Sequence, residues 1–252
     1  MSFKGKTIIV TGGSRGIGRG IADSFAAQDA QLIICGRREP DTLPDNAHFI
    51  SLDIREPDAA KTLINFAIEK IGRVDCLVNN AGGGPPVASK DASPNLTQKV
   101  IALNLLAPIN LAQAAYDPLK ASGGSIINIS SVSATRSSPG SVAYGAAKAG
   151  LLNVTTSLAM EWAPHIRVNA IIAGLVKTEA SADHYGGAKG MAHLASNLPM
   201  ERMGTPEDIA KACLFLADQS NSYVSGACLE VFGGGEPPSF LKIAEEAHKL
   251  GW

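Results

Sequence analysis

A tyrosine and a lysine four positions apart, Tyr144 and Lys148, carry the side chains needed for acid–base chemistry. A spacing of four residues puts both on the same face of a helix. A phenol with its ordinary pKa of about 10 is a poor base at neutral pH, and a nearby ammonium group stabilises the phenolate and lowers that pKa. The pair therefore predicts a proton-transfer site, although taken alone such a pair is more often an ordinary feature of a helix surface.

A glycine-rich segment near the N-terminus has the composition of a phosphate-binding turn. Residues 11–18 read TGGSRGIG and lie between an apolar, strand-like run and a stretch with helical periodicity. Glycines in such a turn let the backbone approach a pyrophosphate, which then meets the unpaired N–H groups at the helix N-terminus. The context favours dinucleotide binding, and the alternative is a tight turn that binds nothing.

The residues after the second strand-like run indicate which dinucleotide is bound. In dinucleotide-binding folds, an acidic residue about 20 positions after the glycines binds the ribose 2′-hydroxyl of NAD, whereas an arginine suits the 2′-phosphate of NADP. This sequence has Gly36-Arg37-Arg38 there, and Arg15 of the glycine-rich segment could reach the same phosphate. Guanidinium groups bind phosphate as a planar fork, so the pattern favours NADP and leaves NAD possible. The alternative is that Arg37 and Arg38 form a solvated turn.

Short β-branched runs alternate with longer helical stretches along the chain. Strand-like runs lie at 7–10, 31–35, 48–52, 75–79, 125–129, 167–172 and 228–231, and helical stretches at 16–28, 57–71, 94–121, 142–163 and 240–250. The segment 174–205 is the longest irregular stretch. This alternation predicts an α/β fold built from βαβ units, a single Rossmann-type doubly wound parallel sheet with helices on both faces.

Composition and charge exclude several classes of protein. The 252 residues contain 22 lysines and arginines against 23 aspartates and glutamates, a net charge of −1, without the basic cluster of a nucleic-acid-binding protein. No apolar run approaches the roughly 20 residues that span a bilayer, and no signal-peptide pattern is visible. The four cysteines and five histidines lack metal-ligand spacing. We therefore expect no metal site, and buried thiols in a reducing, cytoplasmic compartment.

Several motifs occur together in an order and at intervals that resemble the short-chain dehydrogenase/reductase family, including its 3-oxoacyl-(acyl-carrier-protein) reductases. The resemblance extends over about residues 5–234, nearly the whole chain. The matching positions are Thr11-Gly12, Gly16, Gly18, Asn79-Asn80-Ala81-Gly82, Asn104, Ser130-Ser131, Tyr144 and Lys148.

The resemblance implies a role for each candidate catalytic residue. Tyr144 is expected to protonate a carbonyl oxygen during reduction and to act as the base in the reverse direction. Lys148 is expected to lower the pKa of Tyr144 and to bind the nicotinamide ribose, and Ser131 to hold the substrate oxygen. Asn104 is expected to hold a proton-relay water near Lys148. In this division of labour the cofactor supplies hydride while the protein orients the substrate and donates the proton.

The resemblance also implies a set of cofactor contacts. Residues 80–82 resemble the turn that supports the adenosine ribose, residues 53–54 the pair beside the adenine, and Thr178 the contact to the nicotinamide carboxamide. The full expected set is Gly12, Ser14, Arg15, Gly16, Ile17, Gly18, Arg37, Asp53, Ile54, Asn80, Ala81, Gly82, Tyr144, Lys148, Gly174, Val176 and Thr178.

The substrate and the assembly are less closely defined by the resemblance. We expect a small ketone or secondary alcohol, either a 3-oxoacyl thioester or a cyclic, steroid-like ketone. The substrate would lie under a lid at 175–203, where His184 and His193 are candidate contacts.

The expected organisation is a dinucleotide-binding domain at 1–235 and a helical tail at 236–252. We expect a homotetramer or homodimer, without nucleic-acid or membrane partners. The alternative functions are a non-catalytic dinucleotide sensor or scaffold of the same fold, and an epimerase or dehydratase.

Overall fold

The β-branched run Thr7–Thr11 forms an inner strand of a parallel sheet, and all five of its side chains are buried. A computed structural model describes residues 2–250, except for the side chains of His184, Lys242 and Glu245. Apolar runs of this kind are typical of strands that are covered on both faces. The strands are β1 Thr7–Thr11, β2 Gln31–Gly36, β3 Ala47–Ser51, β4 Cys76–Asn79, β5 Ser125–Ser131, β6 Arg167–Ala173 and β7 Cys228–Val231.

The strand order in the sheet is β3-β2-β1-β4-β5-β6-β7, and every neighbouring pair is parallel. From β1 the chain first adds β2 and β3 on one side. It then crosses back and adds β4 to β7 on the other side of β1. At such a reversal the carboxyl ends of the strands border a crevice that can hold a ligand. The predicted fold class, a doubly wound parallel sheet of the Rossmann type, is confirmed.

Helices cover both faces of the sheet. In chain order the helices of the described residues are α1 Gly16–Ala26, α2 Ala59–Ile71, α3 Pro94–Ile101, α4 Ala107–Ala114, α5 Tyr116–Ser122, α6 Val142–Glu161, α7 Ser181–His184, α8 Gly187–Ser196, α9 Pro206–Ala217 and α10 Ser239–Lys249. On one face, Phe25 of α1 and Ile209 of α9 pack in a core with Val10 of β1. On the other face, Leu63 of α2 and Leu111 of α4 belong to a second core.

The stretch 94–121, predicted as one helix, is interrupted. A π-helical turn at Ala102–Leu106 separates α3 from α4, and α5 begins after a break at residue 115. Prolines supply the physical reason, because Pro108 and Pro118 have no N–H to donate to the carbonyl four residues earlier. The π-helical turn contains Asn104, whose side chain is fully buried. Such turns are frequent at functional sites.

The segment 174–205, predicted to be irregular, contains the two short helices α7 and α8. Helix α9 was not assigned from the sequence, although its start carries a clear signal. Thr205 Oγ1 accepts a hydrogen bond from the Asp208 N–H, Asp208 Oδ2 accepts one from the Thr205 N–H, and Pro206 follows in the first turn. The lid function of 175–203 and the division of the chain at residue 236 stay predictions.

Helix α6 is attached to the sheet by a buried chain of side-chain hydrogen bonds. Asn79 Nδ2 of β4 donates to Asn128 Oδ1 of β5 at 2.9 Å, and Asn128 Nδ2 donates to Thr155 Oγ1 of α6 at 2.9 Å. Thr155 Oγ1 donates in turn to the Leu151 carbonyl at 2.8 Å. All three side chains are buried, so water cannot replace a lost partner. The chain of bonds therefore fixes α6 against the middle of the sheet.

Replacing Thr155 by valine keeps the shape of the side chain and removes the acceptor of Asn128 Nδ2. We expect the free energy of unfolding to fall by about 1–3 kcal/mol, because a buried amide group loses its partner. The loss is measured as a lower midpoint of urea unfolding at an unchanged slope. Thr156→Val is the matched control, since the exposed Thr156 hydroxyl bonds only carbonyls of its own helix. We expect the control to lie within about 0.5 kcal/mol of wild type, and equal losses in both variants would contradict the prediction.

Candidate active site

A cavity of about 480 Å³ opens at the carboxyl ends of the strands, where the strand order reverses. Two residues of the predicted site, Asn104 and Val176, do not line it. The predicted site residues that line it are Gly12, Ser14, Arg15, Gly16, Ile17, Gly18, Arg37, Asp53, Ile54, Asn80, Ala81, Gly82, Ser131, Tyr144, Lys148, Gly174 and Thr178. The fold therefore brings most of the predicted residues together around one space.

The glycine-rich turn after β1 is held against the end of β4 by Asn80. Asn80 Nδ2 donates to the carbonyls of Thr11 and Gly12 at 2.9 and 3.3 Å, and the Asn80 N–H donates to Thr11 Oγ1 at 2.9 Å. Gly18 packs so closely on this turn that a Cβ there would overlap the Gly12 carbonyl and the Asn80 amide. Glycine is therefore required at position 18 for the close approach of α1.

A carboxylate lies on the N-terminus of α1. The Gly16 N–H donates to Glu179 Oε2 at 3.2 Å, and Glu179 also lines the cavity. Helix N-termini attract anions because their first N–H groups lack partners within the helix. Glu179 belongs to no sequence motif, and nothing in the sequence indicates that the segment after β6 meets α1.

Arginines line the part of the cavity at the ends of β2 and β3. Arg37 is exposed there, and Arg55 Nε donates to Asp53 Oδ1 at 2.9 Å, with a second contact between Arg55 Nη2 and Asp53 Oδ2. The hydrogen bond from Arg55, supported by the charges of Arg55 and Arg37, keeps the pKa of Asp53 below its usual value. Arg55, which no sequence motif marks, therefore offsets the negative charge of Asp53 in this part of the cavity.

Ser131, at the end of β5, and Tyr144, on α6, both line the cavity, and their side chains are close enough to interact. Burial raises the pKa of Tyr144, and the interaction with the Ser131 side chain opposes that rise. Ser131 Oγ also accepts a hydrogen bond from the Ser133 N–H at 3.2 Å, which holds the hydroxyl in place. Two hydroxyl groups thus lie side by side in the cavity, where both can bind one oxygen atom of a ligand.

Lys148 is buried beside this pair, and α6 and β5 exchange hydrogen bonds around it. Lys148 Nζ donates to the Ile129 carbonyl at 2.7 Å, and Ser130 Oγ donates to the Lys148 carbonyl at 3.1 Å. Burial disfavours the charged ammonium and lowers the pKa of Lys148 to about 8. Lys148 Nζ lies 5.8 Å from the centre of the Tyr144 ring. Burial raises the pKa of Tyr144, and the expected lowering of that pKa by Lys148 stays a prediction.

Asn104 lies beside the cavity and holds the loop that follows β4. Its amide group donates to the carbonyls of Gly83 and Val100, each at 2.9 Å, and its Oδ1 accepts from the Gly83 N–H at 2.8 Å. A Cβ on Gly82 would come within 2.7 Å of Asn104 Oδ1 and 3.1 Å of Lys148 Nζ, so both side chains border Gly82. These contacts tie Asn104 to the backbone, and its expected water relay stays a prediction.

Three other residues predicted to contact the cofactor or the substrate do not line the cavity in the part of the chain that the structure describes. Val176 is buried in the core beneath α1 and α9, which turns its side chain away from the cavity. His193, on α8, is exposed, and the side chain of His184 is outside the described residues. The predicted substrate contacts of both histidines stay predictions.

The thiols of the chain are protected by burial. All four cysteines are free, and three of them are buried. Burial raises the pKa of Cys35 and Cys76 to about 12 and also raises the pKa of Cys213 and Cys228. Among residues 2–250, no three His, Cys, Asp or Glu side chains converge on a metal-binding position. The same residues contain no helix with the length and apolar character needed to cross a membrane.

Comparison with known proteins identifies the family. A family model described as enoyl-(acyl carrier protein) reductase matches residues 12–235. The chain belongs to the short-chain dehydrogenase/reductase family. It is 36% identical over 246 residues to the 3-oxoacyl-(acyl-carrier-protein) reductase of Chlamydia muridarum, covering 91% of this chain and 96% of the relative. It is 34% identical over 246 residues to L-fucose dehydrogenase of Bos taurus, covering 93% and 90%.

A solved structure agrees with this assignment. The aldohexose dehydrogenase of Thermoplasma acidophilum in ligand-free form matches with a TM-score of 0.87 and 30% identity, covering 92% of this chain and 94% of that one. This short-chain dehydrogenase/reductase is therefore an oxidoreductase that acts on alcohol or ketone groups, and its family binds a nicotinamide dinucleotide. The residues present fit that cofactor, because the glycine-rich turn already binds an oxyanion, the Glu179 carboxylate.

The contact between Glu179 and the glycine-rich turn predicts competition with the cofactor. We expect Glu179→Gln to bind NADPH about 2–5-fold more tightly. The Glu179 carboxylate gains about 0.3–1 kcal/mol at the N-terminus of α1, and the pyrophosphate of the cofactor must displace this interaction in order to bind. The dissociation constant is measured by titration of NADPH fluorescence. Glu161→Gln is the control, since it removes the same charge from the exposed end of α6. Equal dissociation constants for the two variants would contradict the competition.

Proposed function

We propose that this chain interconverts a ketone and a secondary alcohol with NADP(H), with Tyr144 as the general acid and base. The observation that carries the proposal is that the side chains of Ser131 and Tyr144 line the same cavity as the glycine-rich turn. A cofactor at the turn and a carbonyl group at the hydroxyl pair would then share one cavity.

The protein residues would handle the oxygen and the proton. The bound cofactor supplies or accepts the hydride. Ser131 donates a hydrogen bond to the carbonyl oxygen and orients it. Tyr144 gives its phenolic proton to the same oxygen during reduction, and takes a proton from the alcohol during oxidation. In the reduction the carbonyl carbon gains the hydride and the oxygen gains the proton, so the reaction balances.

Lys148 would stabilise the phenolate that Tyr144 becomes after giving up its proton. Its ammonium is buried 5.8 Å from the ring centre, and low-dielectric surroundings strengthen the attraction between the two charges. Because burial lowers the pKa of Lys148 to about 8, the ammonium loses its proton as the pH rises through that value. We therefore expect the rate of ketone reduction to be constant below about pH 8 and to fall above it.

The Tyr144→Phe variant tests this mechanism. We expect its rate of ketone reduction to fall by about 10²–10⁴-fold, because the proton donor is lost, with little change in NADPH affinity. The measurement is steady-state kinetics over a range of pH with a 3-oxoacyl thioester, a cyclic ketone and a steroid ketone. Tyr116→Phe is the control, since Tyr116 packs against Trp162 outside the cavity. Turnover by Tyr144→Phe within a few-fold of wild type would contradict the mechanism.

The preference for NADP over NAD is supported by the arginines of the cavity. Arg15, Arg37 and Arg55 all line it, and β2 ends in Gly36 rather than in an acid. The nearby acid, Asp53, is paired with Arg55. Positive charge is therefore in excess where a 2′-phosphate would bind.

The Arg37→Ala variant tests the cofactor preference. We expect the KM for NADPH to rise by about 10–100-fold and the KM for NADH to change little, because a hydrogen bond to a charged group contributes about 1.5–3 kcal/mol. Arg38→Ala is the matched control, since Arg38 is the next residue and does not line the cavity. A similar rise in KM for both cofactors would argue against binding of the 2′-phosphate by Arg37.

For the substrate, we propose a 3-oxoacyl thioester or a cyclic ketone. The first class is supported by the 36% identity to a 3-oxoacyl-(acyl-carrier-protein) reductase. The second is supported by the likeness to dehydrogenases named for a fucose and an aldohexose, sugars whose ring forms are cyclic alcohols. We further propose that the protein works as a homodimer or homotetramer in the cytoplasm, where its free thiols stay reduced.

A further inference from the structure

A second cavity, of about 210 Å³, adjoins the candidate active site. Its lining includes Val132, the residue after Ser131, and Gly174, which also lines the larger cavity. Arg136 and Glu236 line it as well and form an ion pair, with 2.7 Å between Arg136 Nη2 and Glu236 Oε1. A guanidinium group that already holds a carboxylate therefore lines a cavity that adjoins the candidate active site.

Tyr185, between α7 and α8, interacts electrostatically with the Arg136–Glu236 ion pair and with Tyr144. Burial raises the pKa of Tyr185, the charge of Glu236 raises it further, and the charge of Arg136 lowers it. Tyr185 in turn raises the pKa of Tyr144. Tyr185 therefore interacts electrostatically both with the ion pair and with Tyr144.

The carboxylate on Arg136 can be exchanged for another. The two side chains of the ion pair are 45% and 35% exposed, and ion pairs with this much exposure contribute little to stability. Glu236 follows three consecutive glycines, Gly233 to Gly235, with φ values of 66°, 89° and 83°. Glycine adopts other backbone conformations readily, so the chain can turn at this point and carry Glu236 away.

We propose that Arg136 binds a carboxylate group of the substrate and that Glu236 occupies this position until the substrate arrives. The inference rests on the proposed function and narrows its substrate class to ketones and secondary alcohols that carry a carboxylate. The carbonyl oxygen of the substrate binds at Ser131 and Tyr144, and its carboxylate replaces that of Glu236 on the guanidinium. Binding therefore releases residue 236 from Arg136.

Kinetics with matched acids and esters test the role of Arg136. The substrates are 3- and 4-oxocyclohexanecarboxylate and their methyl esters, which differ mainly in charge. We expect wild type to prefer the acids. Arg136→Gln should raise the KM for the acids by about 10–100-fold and leave that of the esters within about twofold. Glu236→Gln should lower the KM for the acids severalfold, since it removes the competing carboxylate.

Arg202→Gln is the control for the kinetic test. Arg202 forms a similar exposed pair with Asp208 and lines neither cavity, so this variant should treat acids and esters as wild type does. Equal use of acids and esters by wild type, or an equal effect of Arg136→Gln on both, would overturn the inference.

Binding of cyclohexanecarboxylate separates this inference from the proposed function, because that probe has no carbonyl group to reduce. Calorimetry of the full chain with NADPH should detect its binding, and Arg136→Gln should abolish it. Hydrogen exchange should become faster in residues 236–250 when the probe binds. Binding that depends on Arg136, without turnover of any ketone, would support the inference and count against the proposed function. Turnover of the esters without such binding would support the proposed function and overturn the inference.

Discussion

Burial of the Lys148 ammonium constrains the whole reacting end of the cavity. A cation with 3% exposure needs a partner inside the protein, and it finds one in the Ile129 carbonyl of β5. Ser130 returns a hydrogen bond to the helix carbonyl of Lys148, so α6 cannot rotate or slide along β5 without breaking both bonds. Because Ser131 follows Ser130, and Tyr144 lies one turn before Lys148, the same two bonds align the two hydroxyl groups. The geometry of the site thus depends on a desolvated charge.

Three positive groups along the cavities are already paired with carboxylates of the chain. Asp53 lies on Arg55, Glu179 on the N-terminus of α1, and Glu236 on Arg136. Each of these anions has the chemistry of a ligand group, a phosphate or a carboxylate. Ligand binding at such positions exchanges one anion for another, which reduces the net electrostatic gain. Affinity then depends on how well the ligand oxygens match the geometry of each cation.

Features that depend on neighbouring residues in the chain were mostly predictable from the sequence, and features that depend on distant segments meeting in space were not. The strands were predictable because their apolar runs are continuous. The family motifs identified most of the residues that the fold places around one cavity. The interruption at Asn104 was missed because the helical pattern continues through it, although Pro108 marks the position. The start of α9 was missed although its capping signal is local. Arg55, Glu179 and Arg136 belong to no motif, and their importance depends on which loops meet in space.

Burial of the native thiols favours selective labelling of an introduced cysteine. The thiolate is the reactive form of cysteine, and a raised pKa leaves almost none of it at neutral pH. Maleimide reagents should therefore leave the buried Cys35, Cys76 and Cys213 largely unmodified. Once the half-buried Cys228 is replaced by serine, a cysteine introduced at an exposed position of α10, such as Phe240, would react selectively. A fluorophore at that position would report the movement of the C-terminal helix.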